Sequence, residues 1–408
     1  MSGNLSGPER RRIHMKNRTK SIFDEVIDRT NTMSIKYDYA AKLGVPEDAL
    51  PMWVADMDFR SPQCVNDALA ERCRHGLYGY SDASREYYEA VRNWFFTRHG
   101  WEIDVRNIVT APGVVFAIHQ IVSALTKPGD SVLIQRPVYY PFSSAVTKLG
   151  RNLVNNPLVN KDGHYEIDFE DFEKKISDNR VKLFILSNPH NPVGRVWTRE
   201  ELLKLSEILV RHGVYVISDE IHEDFIYEGH RHTVFSTLSP EIADLTITCT
   251  APSKTFNLAG LQISNLVITN DDLRRRYKET VKQSGYSQPN LMGILACRAA
   301  YEGGSPWLDE LTRYLSSNIS RTKEILARDF PGVRLTEPEG TYLLWLDFSG
   351  LGLSDAELNA RIEKKGRVWL DPGPMFGPEG SGFQRVNIAC PSSVLEEGLI
   401  RMRRGLYE

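Results

Sequence analysis

Five short apolar runs constrain the fold of this chain more than any other feature. They are continuous rather than alternating in polarity, and they read "SVLIQ", "VKLFILS", "VYVIS", "LTITC" and "SNLVI". Continuous apolar runs of this length are typical of strands buried on both faces of a largely parallel sheet. Helix-forming segments accompany them along the chain. This alternation predicts an α/β fold in which helices pack on both faces of the sheet.

The predicted helices are amphipathic, and each is closed by a glycine or by Pro-Gly, as helix C-termini commonly are. They read "PQCVNDALAERCRHG", "SREYYEAVRNWFFTRHG", "GVVFAIHQIVSALTKPGD" and "TREELLKLSEILVRHG". The order of elements changes near residue 300, where the long helix "WLDELTRYLSSNISRTKEILARDF" precedes several short strands and a terminal helix. This second pattern predicts a smaller α+β domain.

The length of 408 residues exceeds what a single hydrophobic core usually spans, so two domains are expected. We assign residues 61–300 to a large domain and residues 301–408 to a small C-terminal domain. Residues 21–60 are expected to cross between them. Residues 1–20, which include "MSGNLSGPERRRIHM", are polar and lack periodicity. They are interpreted either as a disordered arm or as a cloning tag.

Composition excludes several classes of protein. The net charge of −3 gives no reason to expect binding to nucleic acid or to a membrane. No apolar run approaches the roughly 20 residues of a membrane helix. The five cysteines are widely scattered without a CxxC pair, which favours a reducing cytoplasm over a disulfide framework. They are Cys64, Cys73, Cys249, Cys297 and Cys390.

Reactive side chains follow four of the apolar runs, where the strands are expected to end. In chain order they are Tyr139, Tyr140, Asn191, Asp219, Ser253 and Lys254. Ligands of such sheets gather beyond the carboxyl ends of the strands. These side chains are therefore expected to line one site.

This combination of groups matches the needs of pyridoxal phosphate. An amine such as that of Lys254 forms a Schiff base with the cofactor aldehyde, and a carboxylate such as Asp219 keeps the pyridine nitrogen protonated. Asn191 would hold the phenolate oxygen of the ring, and an aromatic face such as Tyr139 would stack on it. The sequence therefore predicts a pyridoxal 5′-phosphate site.

The phosphate of the cofactor needs backbone N–H groups at a helix N-terminus. The stretch "APGVVFAIHQ" supplies them, because Gly113 is expected to allow a tight turn and the amides of Val114 and Val115 begin the helix. The hydroxyl of Ser253 can add a hydrogen bond.

A metal site is the competing interpretation of "SDEIHEDF". Asp219, Glu220, His222 and Glu223 are possible ligands, but they crowd together at one strand end without a second ligand cluster. No metal is therefore predicted.

Several motifs resemble those of a known family. "SNPHNPVG", "SDEIHEDF" and "APSKTFNLAGL" resemble the fold-type I pyridoxal-phosphate enzymes of aminotransferase class I/II. "LPMWVADMDF", "YGY" and "FQRVNIACP" narrow the resemblance to the MalY/PatB branch, the cystathionine β-lyases or C–S lyases. The similarity runs from about Ser21 to the end of the chain. It implies the PLP-dependent transferase-like fold, with a mostly parallel seven-stranded sheet in the large domain.

The resemblance implies catalytic roles for Lys254, Asp219 and Tyr139. Lys254 would be the Schiff-base lysine and would carry the proton, Asp219 would pair with the pyridinium, and Tyr139 would stack on the ring. His222 stands where many aminotransferases carry a tyrosine, and Gln262 stands where they carry a phosphate-binding arginine. Both departures agree with the lyase branch.

The resemblance also implies the substrate site and the assembly. Arg385 would bind the substrate carboxylate, for which a planar guanidinium is suited, and Asn191 and Tyr140 would lie beside the substrate. Tyr80 would reach the cofactor phosphate of the neighbouring subunit, which requires a homodimer with shared active sites.

The activity expected from this resemblance is β-elimination from an L-cysteine S-conjugate such as cystathionine, releasing a thiol, pyruvate and ammonia. An aminotransferase with the same cofactor is the first alternative, since it needs the same lysine, aspartate and asparagine. A regulatory protein that retains the fold is the second.

Overall fold

The computed structural model describes residues 21–408. The predicted arm or tag at residues 1–20 lies outside the described residues. Among the helices of residues 21–408, none combines the length and the apolar character required to cross a membrane.

The strands are short, as the sequence predicts. Fifteen lie within residues 21–408: β1 (Leu50–Pro51), β2 (Ile108–Ala111), β3 (Ser131–Ile134), β4 (Asn152–Asn155), β5 (Val159–Lys161), β6 (His164–Glu166), β7 (Leu183–Ser187), β8 (Tyr215–Asp219), β9 (Thr246–Thr250), β10 (Ser264–Val267), β11 (Arg334–Leu335), β12 (Leu343–Asp347), β13 (Val368–Trp369), β14 (Asp371–Pro372) and β15 (Phe383–Asn387).

The helices range from single turns to a long helix near the C-terminus. Fourteen α-helices lie within the same residues: α1 (Ile35–Asp38), α2 (Gln63–His75), α3 (Arg85–His99), α4 (Val114–Leu125), α5 (Tyr140–Lys148), α6 (Phe169–Asn179), α7 (Arg199–His212), α8 (Pro240–Leu245), α9 (Pro252–Thr255), α10 (Asp271–Gln283), α11 (Leu291–Gly303), α12 (Ser305–Asp329), α13 (Asp355–Asn359) and α14 (Ser392–Tyr407).

A seven-stranded sheet forms the centre of the fold, with the strand order β2-β10-β9-β8-β7-β3-β4. Six strands are parallel, and β10 runs antiparallel to both of its neighbours. The predicted mostly parallel seven-stranded sheet is confirmed. The five apolar runs form β3, β7, β8, β9 and β10. The outer strands β2 and β4 carry polar residues among their four positions and were not predicted as strands.

Helices cover both faces of this sheet because successive side chains of a buried strand point in opposite directions. On one face, Ile185 of β7 packs in a core with Ile118 of α4. On the other face, its neighbour Phe184 packs in a core with Leu205 of α7. The strands are therefore apolar along their whole length, which explains the continuous runs in the sequence.

A second, antiparallel sheet lies in the C-terminal part of the chain, with the strand order β11-β12-β15-β14. Helices α12 and α14 contribute Leu315 and Leu399 to the core that contains Leu344 of this sheet. The predicted α+β character of this part is confirmed. In the register of β12 and β15, Trp345 lies opposite Arg385.

The segment 21–60 contacts the C-terminal part at several points. Strand β1 pairs in parallel with β13, and the hydroxyl of Ser21 donates to Glu310 at 3.0 Å. The ring of Phe23 packs edge-on against Phe59 and Trp307, with centroids 5.0 and 5.5 Å away. The domain boundaries at residues 60 and 300 stay predictions.

Trp345 joins the small sheet to the body of the protein. It is 1% exposed, and its ring stacks on Phe383 at 5.1 Å and meets Phe376 edge-on at 5.4 Å. Its indole N–H donates to the hydroxyl of Tyr165, on β6, at 3.0 Å. One side chain therefore contributes both apolar burial and a hydrogen bond across this contact.

We expect Trp345→Ala to reduce stability by about 3–5 kcal/mol, because it leaves a large cavity in a packed core. Trp345→Phe should cost less, since it keeps an aromatic ring and loses the hydrogen bond to Tyr165. Urea unfolding followed by circular dichroism measures both effects. An unchanged unfolding midpoint for Trp345→Ala would show that this contact does not stabilise the fold.

Candidate active site

The candidate site lies at the carboxyl edge of the large sheet. Because β7, β8 and β9 are parallel neighbours, their carboxyl ends meet at this edge. Strand β7 leads into the loop that carries Asn191, β8 ends at Asp219, and β9 leads directly into α9 with Lys254. The order of strands in the sheet thus brings together residues that are far apart in sequence.

Lys254 is half-buried, and its Nζ donates to the backbone carbonyl of Ala55 at 2.6 Å. Withdrawal from water and the positive charge of Arg385 together lower the pKa of Lys254 to about 8, against the opposing effect of the carboxylates of Asp56 and Asp219. Near neutral pH, more of this amine is therefore neutral, and so nucleophilic, than of a lysine in water.

Asp219 is buried beside this lysine. Burial raises the pKa of Asp219 to about 7, although the backbone N–H of Ile221, 3.4 Å away, and the charge of Lys254 oppose the rise. A carboxylate in this condition gains from any cation that binds next to it. The pyridinium nitrogen of pyridoxal phosphate is such a cation.

Arg385 is 3% exposed and lies on β15, across from the sheet edge. Its Nη1 donates to Asn191 Oδ1 at 3.0 Å, and its Nη2 donates to the carbonyl of Trp53 at 3.1 Å and to the carboxylate of Asp371. Its Nε has no hydrogen-bond partner among residues 21–408. The guanidinium is therefore held in place, and its Nε–H is left for an incoming acceptor.

His222 is buried next to both cations. Burial lowers the pKa of His222 well below its usual value, and the charges of Lys254 and Arg385 act in the same direction, so the imidazole is neutral. Its Nδ1 has no hydrogen-bond partner in the described part of the chain. His222 Nδ1 and Arg385 Nε are therefore two buried polar atoms of the site that lack a hydrogen-bond partner within residues 21–408.

Tyr139 and Tyr140 lie at the start of α5, with ring centroids 5.4 Å apart. Burial raises the pKa of Tyr139, and the charges of Arg385 and Asp219 both act on its hydroxyl, which places it beside the cluster. Tyr140 is 43% exposed and lies nearer to the solvent. Both positions agree with the predicted site, and their roles stay predictions.

The predicted phosphate-binding segment begins α4. Gly113 has an extended backbone, with φ 167° and ψ 156°, so the expectation of a tight turn is wrong. No side chain caps the helix, and a Cβ at Gly113 would meet nothing within 4 Å. The amides of Val114 and Val115 therefore begin an uncapped helix next to open space. Ser253 lies in the first turn of α9.

Two predicted residues lie outside this cluster. Tyr80 is 97% exposed on the loop between α2 and α3, so its side chain is not part of the site within one subunit. Gln262 is exposed and has a left-handed backbone with φ 51°. The role of Tyr80 stays a prediction.

Sequence reasoning missed four members of the site. Ala55 acts through its backbone carbonyl, which also accepts from the hydroxyl of Tyr342 at 3.1 Å. Asp56 acts on Lys254 by charge, and Asp371 pairs with Arg385. The motif "MWVADMDF" contains Ala55 and Asp56 and was a signal of the branch, while Tyr342 and Asp371 lie in stretches predicted only as strands.

A lysine and a carboxylate at adjacent parallel strand ends, with an uncapped helix N-terminus at the same sheet, define a pyridoxal-phosphate enzyme of fold type I. The chain belongs to the family aminotransferase class I and II, which matches residues 54–401.

Comparison with known proteins narrows the relationship. The chain is 48% identical to cystathionine beta-lyase PatB of Bacillus subtilis, over 94% of this chain and 99% of that protein. It is 34% identical to protein MalY of Escherichia coli, over 92% of this chain and 96% of that protein. Cystalysin of Treponema denticola, solved with pyridoxal 5′-phosphate, superposes with a TM-score of 0.91 at 38% identity, covering 94% of this chain and 98% of that one.

We expect Asp219→Asn to stabilise the cofactor-free protein at pH 8, by roughly 2–4 kcal/mol. Folding raises the pKa of Asp219 from its ordinary 3.8 to about 7, so the folded protein loses stability as the pH rises between these values. The asparagine does not ionise and escapes that loss.

Thermal unfolding of cofactor-free wild type and Asp219→Asn at several pH values measures the effect. The difference between the two proteins should shrink as the pH is lowered from 8 toward 5. A difference that is constant with pH would mean that the carboxylate is not destabilised by burial.

Proposed function

We propose that the protein is a pyridoxal-phosphate-dependent C–S β-lyase that cleaves cystathionine or a related L-cysteine S-conjugate to a thiol, pyruvate and ammonia. The site has the lysine, the carboxylate and the arginine that amino-acid chemistry on this cofactor requires. The choice of elimination is carried by one observation, the 48% identity to a protein named cystathionine beta-lyase across nearly the whole of both chains.

The residues of the site fit the cofactor. Asp219 is a buried carboxylate without a strong cationic partner, and His222 Nδ1 is a buried atom without a partner among residues 21–408. In our proposal Lys254 anchors the cofactor, Asp219 pairs with its pyridine nitrogen, and Asn191 and His222 line its ring. The N-terminus of α4 and Ser253 hold its phosphate. When bound, the cofactor withdraws electrons from the α-carbon of the substrate.

Arg385 orients the substrate. Its Nε lacks a partner within residues 21–408, while Asn191 and Asp371 fix the plane of its guanidinium. A carboxylate that binds here is held in one orientation, because the guanidinium cannot rotate without losing these bonds. The α-carbon of the substrate is thereby presented to Lys254.

Lys254 moves the proton. The amine of the substrate would first take the place of the Lys254 amine. The released amine of Lys254, whose pKa is lowered, can then accept the α-proton of the substrate near neutral pH. The bond to the β-sulfur then breaks, and the electron pair leaves with the thiolate. Hydrolysis of the remaining three-carbon unit consumes one water and gives pyruvate and ammonia.

The decisive experiment supplies L-cystathionine or S-methyl-L-cysteine to the holoenzyme without any keto acid. We expect pyruvate and free thiol in equal amounts from at least one of the two conjugates, because a thiolate is a good leaving group. Lactate dehydrogenase coupling measures pyruvate, and a disulfide reagent measures thiol.

Lys254→Ala is the control, and it should lose the visible absorbance of the lysine-bound cofactor together with pyruvate formation. A parallel reaction contains alanine and 2-oxoglutarate. Rapid formation of glutamate there, with no pyruvate from either S-conjugate, would reject the lyase and establish an aminotransferase.

We also propose a homodimer in which Tyr80 completes the site of the partner subunit. The 97% exposure of Tyr80 in one subunit supports this, since a buried tyrosine could not reach a neighbour. A reducing compartment such as the cytoplasm is proposed as well, because the five cysteines form no disulfide.

Mixing Lys254→Ala subunits with Tyr80→Ala subunits tests the shared site. When equal amounts pair at random, about half of the dimers are hybrids. One of the two sites in each hybrid has neither change, so activity should recover to about a quarter of wild type. Tyr78→Ala is the matched control, because Tyr78 is exposed on the same loop. A monomeric protein, or full activity of Tyr80→Ala alone, would contradict the proposal.

A further inference from the structure

Four charged residues of the segment 21–60 form a partly buried network, here named the Asp56 quartet: Arg29, Lys36, Asp56 and Asp58. Lys36 is 1% exposed, and its Nζ lies 2.9 Å from Asp58 Oδ2 and 3.5 Å from Asp56 Oδ1. Arg29 contacts Asp58 and Asp56 at 2.7 Å each. The proposed function assigns no role to this network.

A buried lysine is rare because removing its charge from water is costly. The quartet offsets this cost because its two cations and two carboxylates balance and are hydrogen-bonded to one another. Both terminal nitrogens of Arg29 donate to the carboxylate of Asp56, at 3.2 and 2.7 Å, which is a bidentate contact. A satisfied network of this kind fixes the position of the backbone that carries it.

That backbone is the one that contacts Lys254. The carbonyl of Ala55, next to Asp56, accepts the hydrogen bond from Lys254 Nζ at 2.6 Å. The side-chain amide of Asn387 donates to the carbonyl of Asp56 at 2.6 Å, and that of Asn257 donates to the carbonyl of Met57 at 2.9 Å. The backbone of residues 55–57 is thus fixed by contacts from the quartet, from β15 and from the chain after α9.

We propose that the Asp56 quartet is a positioning device for Lys254, in which Asp56 is the member whose charge faces the amine. The inference rests on the proposed function in one respect, that Lys254 is the reactive lysine. It assigns to Arg29, Lys36 and Asp58 the role of holding Asp56 and the carbonyl of Ala55 in place.

Charged and titratable groups face Lys254 from several elements. Asp219 faces it from β8, Arg385 from β15, His222 from the turn after β8, and Asp56 from the segment 21–60. In the proposed function, cofactor and substrate engage Asp219, His222 and Arg385. Asp56 is therefore the charged group that still raises the pKa of Lys254 when cofactor and substrate neutralise the other charges.

The contacts of Asp56 stabilise the ionised form of its carboxylate. Burial alone would raise the pKa of Asp56, but the hydrogen bond from Arg29 and the charges of Lys36 and Lys254 hold it below its usual value. The carboxylate is therefore ionised whenever Lys254 titrates. Removing this carboxylate should therefore make the amine of Lys254 less basic.

The test measures the pKa of Lys254 directly in the cofactor-free full-length protein. The rate of Lys254 modification by an amine-reactive reagent is followed by peptide mass spectrometry across pH 6 to 11. We expect Asp56→Asn to lower the pKa of Lys254 by about half a unit or more, because the variant lacks the carboxylate that faces the amine. Lys36→Met should lower it by a smaller amount, because Asp56 keeps its charge but loses one of the two cations that hold it in place. The pH dependence of the visible absorbance of the holoenzyme reports the protonation of the Schiff base on Lys254 and gives a second readout.

Lys42→Met is the matched control, since Lys42 is an exposed lysine of the same segment. Downward shifts in both quartet variants, larger in Asp56→Asn and absent in the control, support the proposal. An unchanged pKa in Asp56→Asn, or an upward or absent shift in Lys36→Met, would overturn it. If Lys36→Met does not fold, Asp56→Asn decides alone. These outcomes are independent of whether the enzyme eliminates or transaminates, so the two proposals fail separately.

Discussion

The structure depends on placing a lysine and a carboxylate, both poorly hydrated, at the ends of two parallel strands. Burial raises the pKa of Asp219 to about 7 and lowers that of Lys254 to about 8, because the charged form of each group is less stable at this site than in water. Only a rigid scaffold can sustain this arrangement. The seven-stranded sheet provides the rigidity, because helices pack on both of its faces and leave its strands no freedom to move apart.

Much of this scaffold could be predicted from the sequence because the physical signals are local. A strand buried on both faces needs continuous apolar residues, and five such runs identify β3, β7, β8, β9 and β10. The reactive groups follow from the same signal, since residues directly after these runs must lie at one sheet edge. Asn191, Asp219 and Lys254 were found in this way. Strands β2 and β4 escaped prediction because an outer strand carries polar residues and leaves no continuous run.

The parts that could not be predicted act through the backbone or through long-range pairing. The carbonyl of Ala55 accepts the hydrogen bond from Lys254, but every residue has a carbonyl, so nothing in the sequence distinguishes this one. Lys36 looks like a surface lysine until the fold buries it against Asp58. At Gly113 the sequence led to an expectation that the structure does not bear out. The presence of this glycine suggested a tight turn, whereas its extended backbone and the open space beside it leave room at the start of α4.

The pairing of Arg385 with Asp371 bears on how the site selects its substrate. A lone buried arginine would attract any anion, but here the carboxylate of Asp371 already balances the guanidinium charge. In the proposed function, a substrate carboxylate at Arg385 therefore gains little from net charge, and its binding depends on the donor at Nε, which lacks a partner within residues 21–408. Recognition then rests on geometry, which Asn191 and the carbonyl of Trp53 enforce by fixing the guanidinium plane. In the proposed function, an amino acid meets Arg385 with its carboxylate and brings an α-amino group to the side of Lys254, and inorganic anions and simple carboxylic acids lack that amino group.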